Sequence, residues 1–203
     1  INLSYGCTKV SINKDYEIDL ISEKELLIEG FLFDKISNSI ISKIKSKSNK
    51  FLNDLYKNPQ LIKTNLLPKS KKIEIGDTEF LLRKSKGENV NIDLKINESE
   101  LKTLFYSKYK VSFEKIYGGY INGEFSQLDI LQPNIITTEG ISFFEFDTEL
   151  EALNFKNFIN TKFSKYLRLI KQYDRSFTSM IFSYIPVLDF NIEWNDDILF
   201  EYL

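Results

Sequence analysis

Residues 135–172 read IITTEGISFFEFDTELEALNFKNFINTKFSKYLRLIKQ. Two short runs rich in β-branched and aromatic residues, Ile135–Thr137 and Ile141–Phe146, predict strands. Thr148 follows, with Glu151 three residues later. That pair is a capping box, in which each side chain satisfies a backbone N–H that the first helical turn leaves free. It predicts one long helix from about Glu149 to Gln172. Along its second half, Phe163, Tyr166, Leu167 and Ile170 share one face, and Lys162, Lys165, Arg168 and Lys171 take the rest. The strands and the capped helix together read as an α+β domain.

Upstream, residues 7–12 and 16–21 alternate like a hairpin around Asn13-Lys14-Asp15. Asp34 is positioned to cap a helix whose Ile36, Ile40, Ile41 and Ile44 share a face, and which frays in the Ser/Lys run before Phe51. Residues 51–70 read as a short helix and an irregular loop broken at Asn58-Pro59. Lys72–Ile75 and Glu79–Arg83 predict a hairpin across Gly76-Asp77, and residues 90–96 predict a further strand. Asn97 with Glu100 starts a helix to about Tyr106. Val111–Ile116 alternates as a strand before the turn-rich Tyr117–Gly123. Downstream, Ile181–Ile185 predicts a strand, and Asn195 caps a last short helix. The expected architecture is α+β, with a mixed, mostly antiparallel sheet packed with one long and several short helices.

The chain has 203 residues, enough for one large domain or two small ones. No window approaches the apolar length of a membrane-spanning helix. It begins at Ile1 without a basic-then-apolar leader, which reads as a segment of a longer chain or a trimmed start. Its single cysteine, Cys7, excludes an internal disulfide framework and a thiolate zinc cluster. It contains no histidine, which removes Ser-His and Cys-His catalysis and His-ligated metal sites from these residues.

The formal charge of −2 gives no global case for a polyanionic partner, but its distribution does. Between residues 43 and 72 lie Lys43, Lys45, Lys47, Lys50, Lys57, Lys63, Lys69, Lys71 and Lys72, against one acid, Asp54. The acids gather at residues 145–151 and 193–201. Such polarisation makes a basic face on a near-neutral protein. The plainer alternative is a solvated lysine surface.

Thr161-Lys162-Phe163 with the basic run behind it, ending in Ile185-Pro186-Val187-Leu188-Asp189-Phe190, resembles the recognition region of Type II restriction-modification adenine methyltransferases. There the pattern is T-K-F-F-R-F-L, a basic and polar run, then F-V-P-x-Q-D-F. Other segments are similar in the same order. Residues 39–48 resemble the helix opening that region. Asn58-Pro59 with Thr64-Asn65 resembles N-P-F-G-x-x-T-N. Tyr109-Lys110-Val111 through Lys115 and Tyr117-Gly118-Gly119 resembles Y-K-V-x-x-P-K-A-x-G-G. Phe146-Asp147-Thr148-Glu149 with Glu151-Ala152 resembles F-D-S-E-E-E-A. Gln60-Leu61, Glu114, Ile116, Arg175-Ser176 and Leu188 depart from the family pattern.

The resemblance implies a target-recognition domain over residues 31–203, with residues 1–30 a candidate hairpin remnant of a preceding methyltransferase domain. It implies duplex DNA as a partner, the missing methyltransferase domain as a second, no membrane, and a cytoplasmic location. Phosphate contact falls to Lys162, Lys165, Arg168, Lys171 and Arg175, with Lys43, Lys45 and Lys47 extending the track. Tyr117, Gly118, Gly119 and Asn122 fall near the groove, Thr64 and Asn65 are candidates for base or backbone contact, and Lys115 joins the DNA-binding set. The parent would be an adenine-N6 DNA methyltransferase or a fused restriction endonuclease. No cofactor belongs to this segment: S-adenosylmethionine belongs to the parent, and magnesium to a nuclease domain if one is fused. The segment lacks a glycine-rich cofactor loop and the Asn/Asp-Pro-Pro-aromatic motif that receives a flipped adenine, so no catalytic residue is assigned. The scattered acids Asp77, Glu79 and Glu114 do not make a magnesium nuclease set. The competing expectation is a non-enzymatic protein-interaction or scaffold domain whose lysines only solubilise it, with the cations of the long helix snorkelling along its apolar flanks.

Overall fold

Among the described residues of 51–202, short apolar runs build two three-stranded sheets. The computed structural model describes residues 9–13, 16–19, 35–59, 62, 74–84, 87–116, 124–125, 127–172 and 176–202. Two units divide the chain, residues 1–50 and residues 51–202. In the first, strands β1 (Lys9–Asn13) and β2 (Tyr16–Asp19) form an antiparallel hairpin with Lys9 opposite Asp19. Helix α1 (Lys35–Lys47) buries Ile41 and Ile44, and it ends at Lys47, inside the Ser/Lys run where fraying was expected. Its expected cap, Asp34, lies outside the described residues.

In the second unit, β3 (Glu74–Arg83) pairs antiparallel with β4 (Asn89–Lys95) and parallel with β7 (Ile135–Thr137). Phe80, Leu82, Leu94 and Ile136 bury themselves there with Ile62 and Leu104. The hairpin expected across Gly76-Asp77 is instead one strand. Glu74 pairs with Lys95 and Thr78 with Leu94, so the three intervening residues form an irregularity in the register. Both flanks find their partner in β4, and the glycine is absorbed as a bulge. The chain turns between β3 and β4, where Gly87 takes a φ of 80° that a side chain would resist.

The second sheet centres on β5 (Tyr109–Glu114), flanked antiparallel by β6 (Leu128–Leu131) and β8 (Ile141–Phe146). Strand β6 was not anticipated. Strands β7 and β8, consecutive in sequence, join different sheets. The sheets are tied to each other by the Arg83–Asp129 ion pair from β3 to β6, and by Lys110 Nζ of β5 donating to the Ile135 carbonyl of β7 at 3.0 Å. Rings of Phe113, Phe144, Phe177 and Phe182 pack at centroid distances between 5.1 and 6.4 Å. Phe155, Phe158 and Phe190 extend that core beneath the helices.

Helix α2 (Glu98–Thr103) starts at the predicted Asn97–Glu100 capping box. The single long helix is two: α3 (Glu149–Ile159) and α4 (Lys162–Lys171). Thr148 and Glu151 cap α3 reciprocally as read from the sequence. Thr161 then leaves helical geometry (φ −60°, ψ 155°), and its hydroxyl accepts a new first-turn bond from Ser164 N at 3.2 Å. The expected strand at residues 181–185 overlaps a 3-10 turn, Ser179–Phe182, that buries Ile181 and Phe182; Ile185 beyond it is buried as well. A short apolar run does not by itself distinguish the two. Asn195 accepts from Ile198 N at 2.9 Å at the start of α5 (Asp196–Tyr202). The fold is mixed α+β, with several short helices and largely antiparallel sheet pairing.

Candidate functional site

Helix α4 carries four of the five cations expected to hold phosphate, and packing divides them. One turn separates Lys162 from Lys165 and another leads to Arg168, so the three rise along one side. With Glu124, Phe125 and Asn160 they line a cleft of about 440 Å³. Lys162 is exposed and Lys165 half-exposed, and the Lys165 ammonium is ion-paired with the Glu124 carboxylate.

Arg168 is 1% exposed. Its guanidinium donates to the Ile159 carbonyl and lies 4.5 Å above the Phe125 ring. Burial lowers its pKa from the ordinary value, and the charge of Glu124 opposes that shift. A guanidinium stays protonated at neutral pH even so. The opposite relation was expected, with the basic residues taking the solvent side of the helix. Arg168 and Lys171 instead point inward with Leu167 and Ser164, while Leu169 is exposed. Lys171 lies with its ammonium 4.6 Å above the Tyr184 ring. Flat aromatic faces on neighbouring segments make this inversion tolerable, because a ring quadrupole attracts a cation that has left water. Both cations are therefore held inside the molecule, and Lys171 is not among the residues lining the cleft.

The N-terminus of α4 is already occupied. Asp196 accepts from Lys162 N and Phe163 N, each at 3.1 Å, so the helix-end donors that would suit an external anion are satisfied from within. Phe125 is likewise engaged on Phe177, with stacked rings 4.7 Å apart, as well as on Arg168. What the cleft offers a ligand is therefore positive charge rather than a stacking platform.

Lys115 is not among the residues lining the cleft. Lys115 is half-buried and acts through its backbone, which donates to the Gly140 carbonyl at 2.9 Å and accepts from Phe177 N at 2.7 Å. Lys43, Lys45 and Lys47 are exposed on α1 in the first unit. Thr64, Asn65, Tyr117, Gly118, Gly119, Asn122 and Arg175 lie outside the described residues.

Several residues quoted for the family resemblance have structural work here. Asn58 Nδ2 donates to the carbonyls of Glu139 and Ile141 and to Ser142 Oγ, each at 3.1 Å, which fixes the turn before β8. Lys110 has no exposed surface, and its ammonium donates to the carbonyls of Lys108 and Ile135 at 3.2 and 3.0 Å. Burial pulls its pKa down to about 8, against the smaller effect of the Glu145 charge. Lys108 pairs with Asp147 immediately before the α3 capping box.

Sequence reasoning passed over Glu124, Phe125 and Asn160. Asn160 precedes the Thr161 cap, a signal that was available. Glu124 and Phe125 belong to no local pattern. Among the described residues no group of three or more acidic, cysteine or histidine side chains is placed to hold a metal, and no helix is long and apolar enough to cross a membrane. No protein-family model matches this chain, and no curated protein matches it.

Proposed function

We propose that the chain binds duplex DNA as a target-recognition module, and that the α4 cleft receives part of the phosphate backbone. The observation that carries this reading is the convergence of Lys162, Lys165 and Arg168 on one cleft of about 440 Å³. Phosphate contacts position a protein on DNA by charge and hydrogen bonding. Lys162 and Lys165 present ammonium groups at the cleft, and Arg168 adds a buried charge beneath them. Base reading then falls to other surfaces of the chain. The family resemblance supplies the biological setting: recognition in this segment, with methyl transfer from S-adenosylmethionine in a separate domain of an adenine-N6 methyltransferase or fused restriction enzyme.

The scaffold reading draws on a different fact, namely that Lys165 and Arg168 already have partners within the molecule. Fluorescence anisotropy of a labelled duplex, measured across a salt series, separates the two. A phosphate-binding module loses affinity steeply, with a log–log slope of about −0.9 per contact. A folded protein that shows no binding at low salt, or a flat response, favours the scaffold.

A further inference from the structure

The acid in the basic cleft is the feature that DNA binding leaves unexplained. Glu124 lines the cleft together with three cations, and its carboxylate is ion-paired with Lys165. A carboxylate placed there repels phosphate and also occupies the ammonium that phosphate needs. We infer that the Glu124 carboxylate sits in the seat of one backbone phosphate, as an internal anion that a phosphodiester displaces when the duplex binds. This rests on the duplex-binding reading and adds to it a defined place for one phosphate and a built-in competitor for it.

Three features of the cleft support the inference. The ligand class is fixed by what is left available. Asp196 fills the donors at the start of α4, and Phe125 is engaged with Arg168 and Phe177, so neither a helix-end anion site nor base stacking accounts for the cleft. A carboxylate and a phosphodiester each carry one negative charge on two oxygens, so one replaces the other without changing the charge balance around Lys165 and Arg168. The resident pair is also replaceable, because the Lys165 and Glu124 side chains are 36% and 55% exposed. An exposed ion pair is weak and screened by salt, so an incoming phosphate exchanges with it at little cost. Arg168, buried beneath, stays in place through its bond to the Ile159 carbonyl and holds the floor of the seat for either anion.

The test is a double-mutant cycle on duplex affinity at low salt, using Glu124→Gln, Lys165→Ala and the two combined, with thermal melting to confirm folding. Removing the competitor tightens binding about fivefold in Glu124→Gln, a change of the size expected for one exposed charge contact. In the Lys165→Ala background the same substitution gains less than about twofold, because the seat has lost its main cation. Binding that Glu124→Gln leaves unchanged or weakens overturns the inference while the duplex reading stands. An equal gain in both backgrounds also overturns it, since Glu124 would then be a general repulsive charge and not an occupant. Folded wild-type and Glu124→Gln proteins that both ignore the duplex overturn the two readings together. Glu124→Ser gives the same comparison if the glutamine variant melts early.

Discussion

At the scale of single residues, cations divide by what surrounds them and not by their chemistry. Lys165 and Arg168 lie one helical turn apart and looked equivalent in the sequence. One reaches the cleft rim, and the other fills the core against Phe125. Arg168→Ala removes packing and leaves the Ile159 carbonyl without this donor, so it lowers stability by about 2–4 kcal/mol in chemical denaturation. Lys165→Ala loses an exposed ion pair and shifts stability by less than about 1 kcal/mol. A binding defect in Arg168→Ala therefore says little about phosphate contact, whereas one in Lys165→Ala is informative. Lys110 makes a second prediction. Its pKa is about 8 in the folded chain against an ordinary 10.5. The unfolded chain binds the proton more tightly, so stability rises with pH between those two values. The penalty at neutral pH is roughly 3 kcal/mol, and it disappears above the upper value. Urea denaturation at pH 7 to 11 should show this rise in the wild type, and the rise should be smaller in Lys110→Met. Equal pH profiles would mean that Lys110 titrates normally. Nothing local in Tyr109-Lys110-Val111 announced a buried lysine; its acceptors come from the carbonyls of Lys108 and of Ile135 across the fold.

At the scale of elements, signals confined to a few residues were legible and signals between elements were not. Both capping boxes, Asn97 with Glu100 and Thr148 with Glu151, form as read, because the partners are only three residues apart. The α3–α4 break was hidden by apolar residues that continue on both sides of Asn160-Thr161. It is decided by the Thr161 hydroxyl, which accepts from Ser164 N and donates to the Phe158 carbonyl at 2.7 Å, and by Asp196 arriving from α5. Thr161→Ala should therefore destabilise the fold by about 1 kcal/mol or somewhat more. Thr161→Ser should restore most of that loss in thermal melting. If alanine were neutral, Asp196 alone would be setting the start of α4. Gly76-Asp77 illustrates the reverse ambiguity: a turn signature became a strand irregularity because both flanks pair with β4.

At the scale of the molecule, the α+β class was readable from the alternation of strand and helix patterns, while strand pairing was not. Strands β7 and β8 lie three residues apart yet serve different sheets, a choice made by long-range partners in β3 and β5. The candidate site was legible to the same degree. Helical spacing located Lys162, Lys165 and Arg168 together, but the acid that pairs with Lys165 comes from 41 residues upstream. Whether the α4 cleft holds DNA phosphates, as proposed, is read from the salt dependence of duplex affinity for wild type and for Lys162→Ala/Lys165→Ala. The double variant should bind more weakly, with a log–log slope shallower by about 2, the contribution of two phosphate contacts. A folded variant with the wild-type slope and affinity would contradict it.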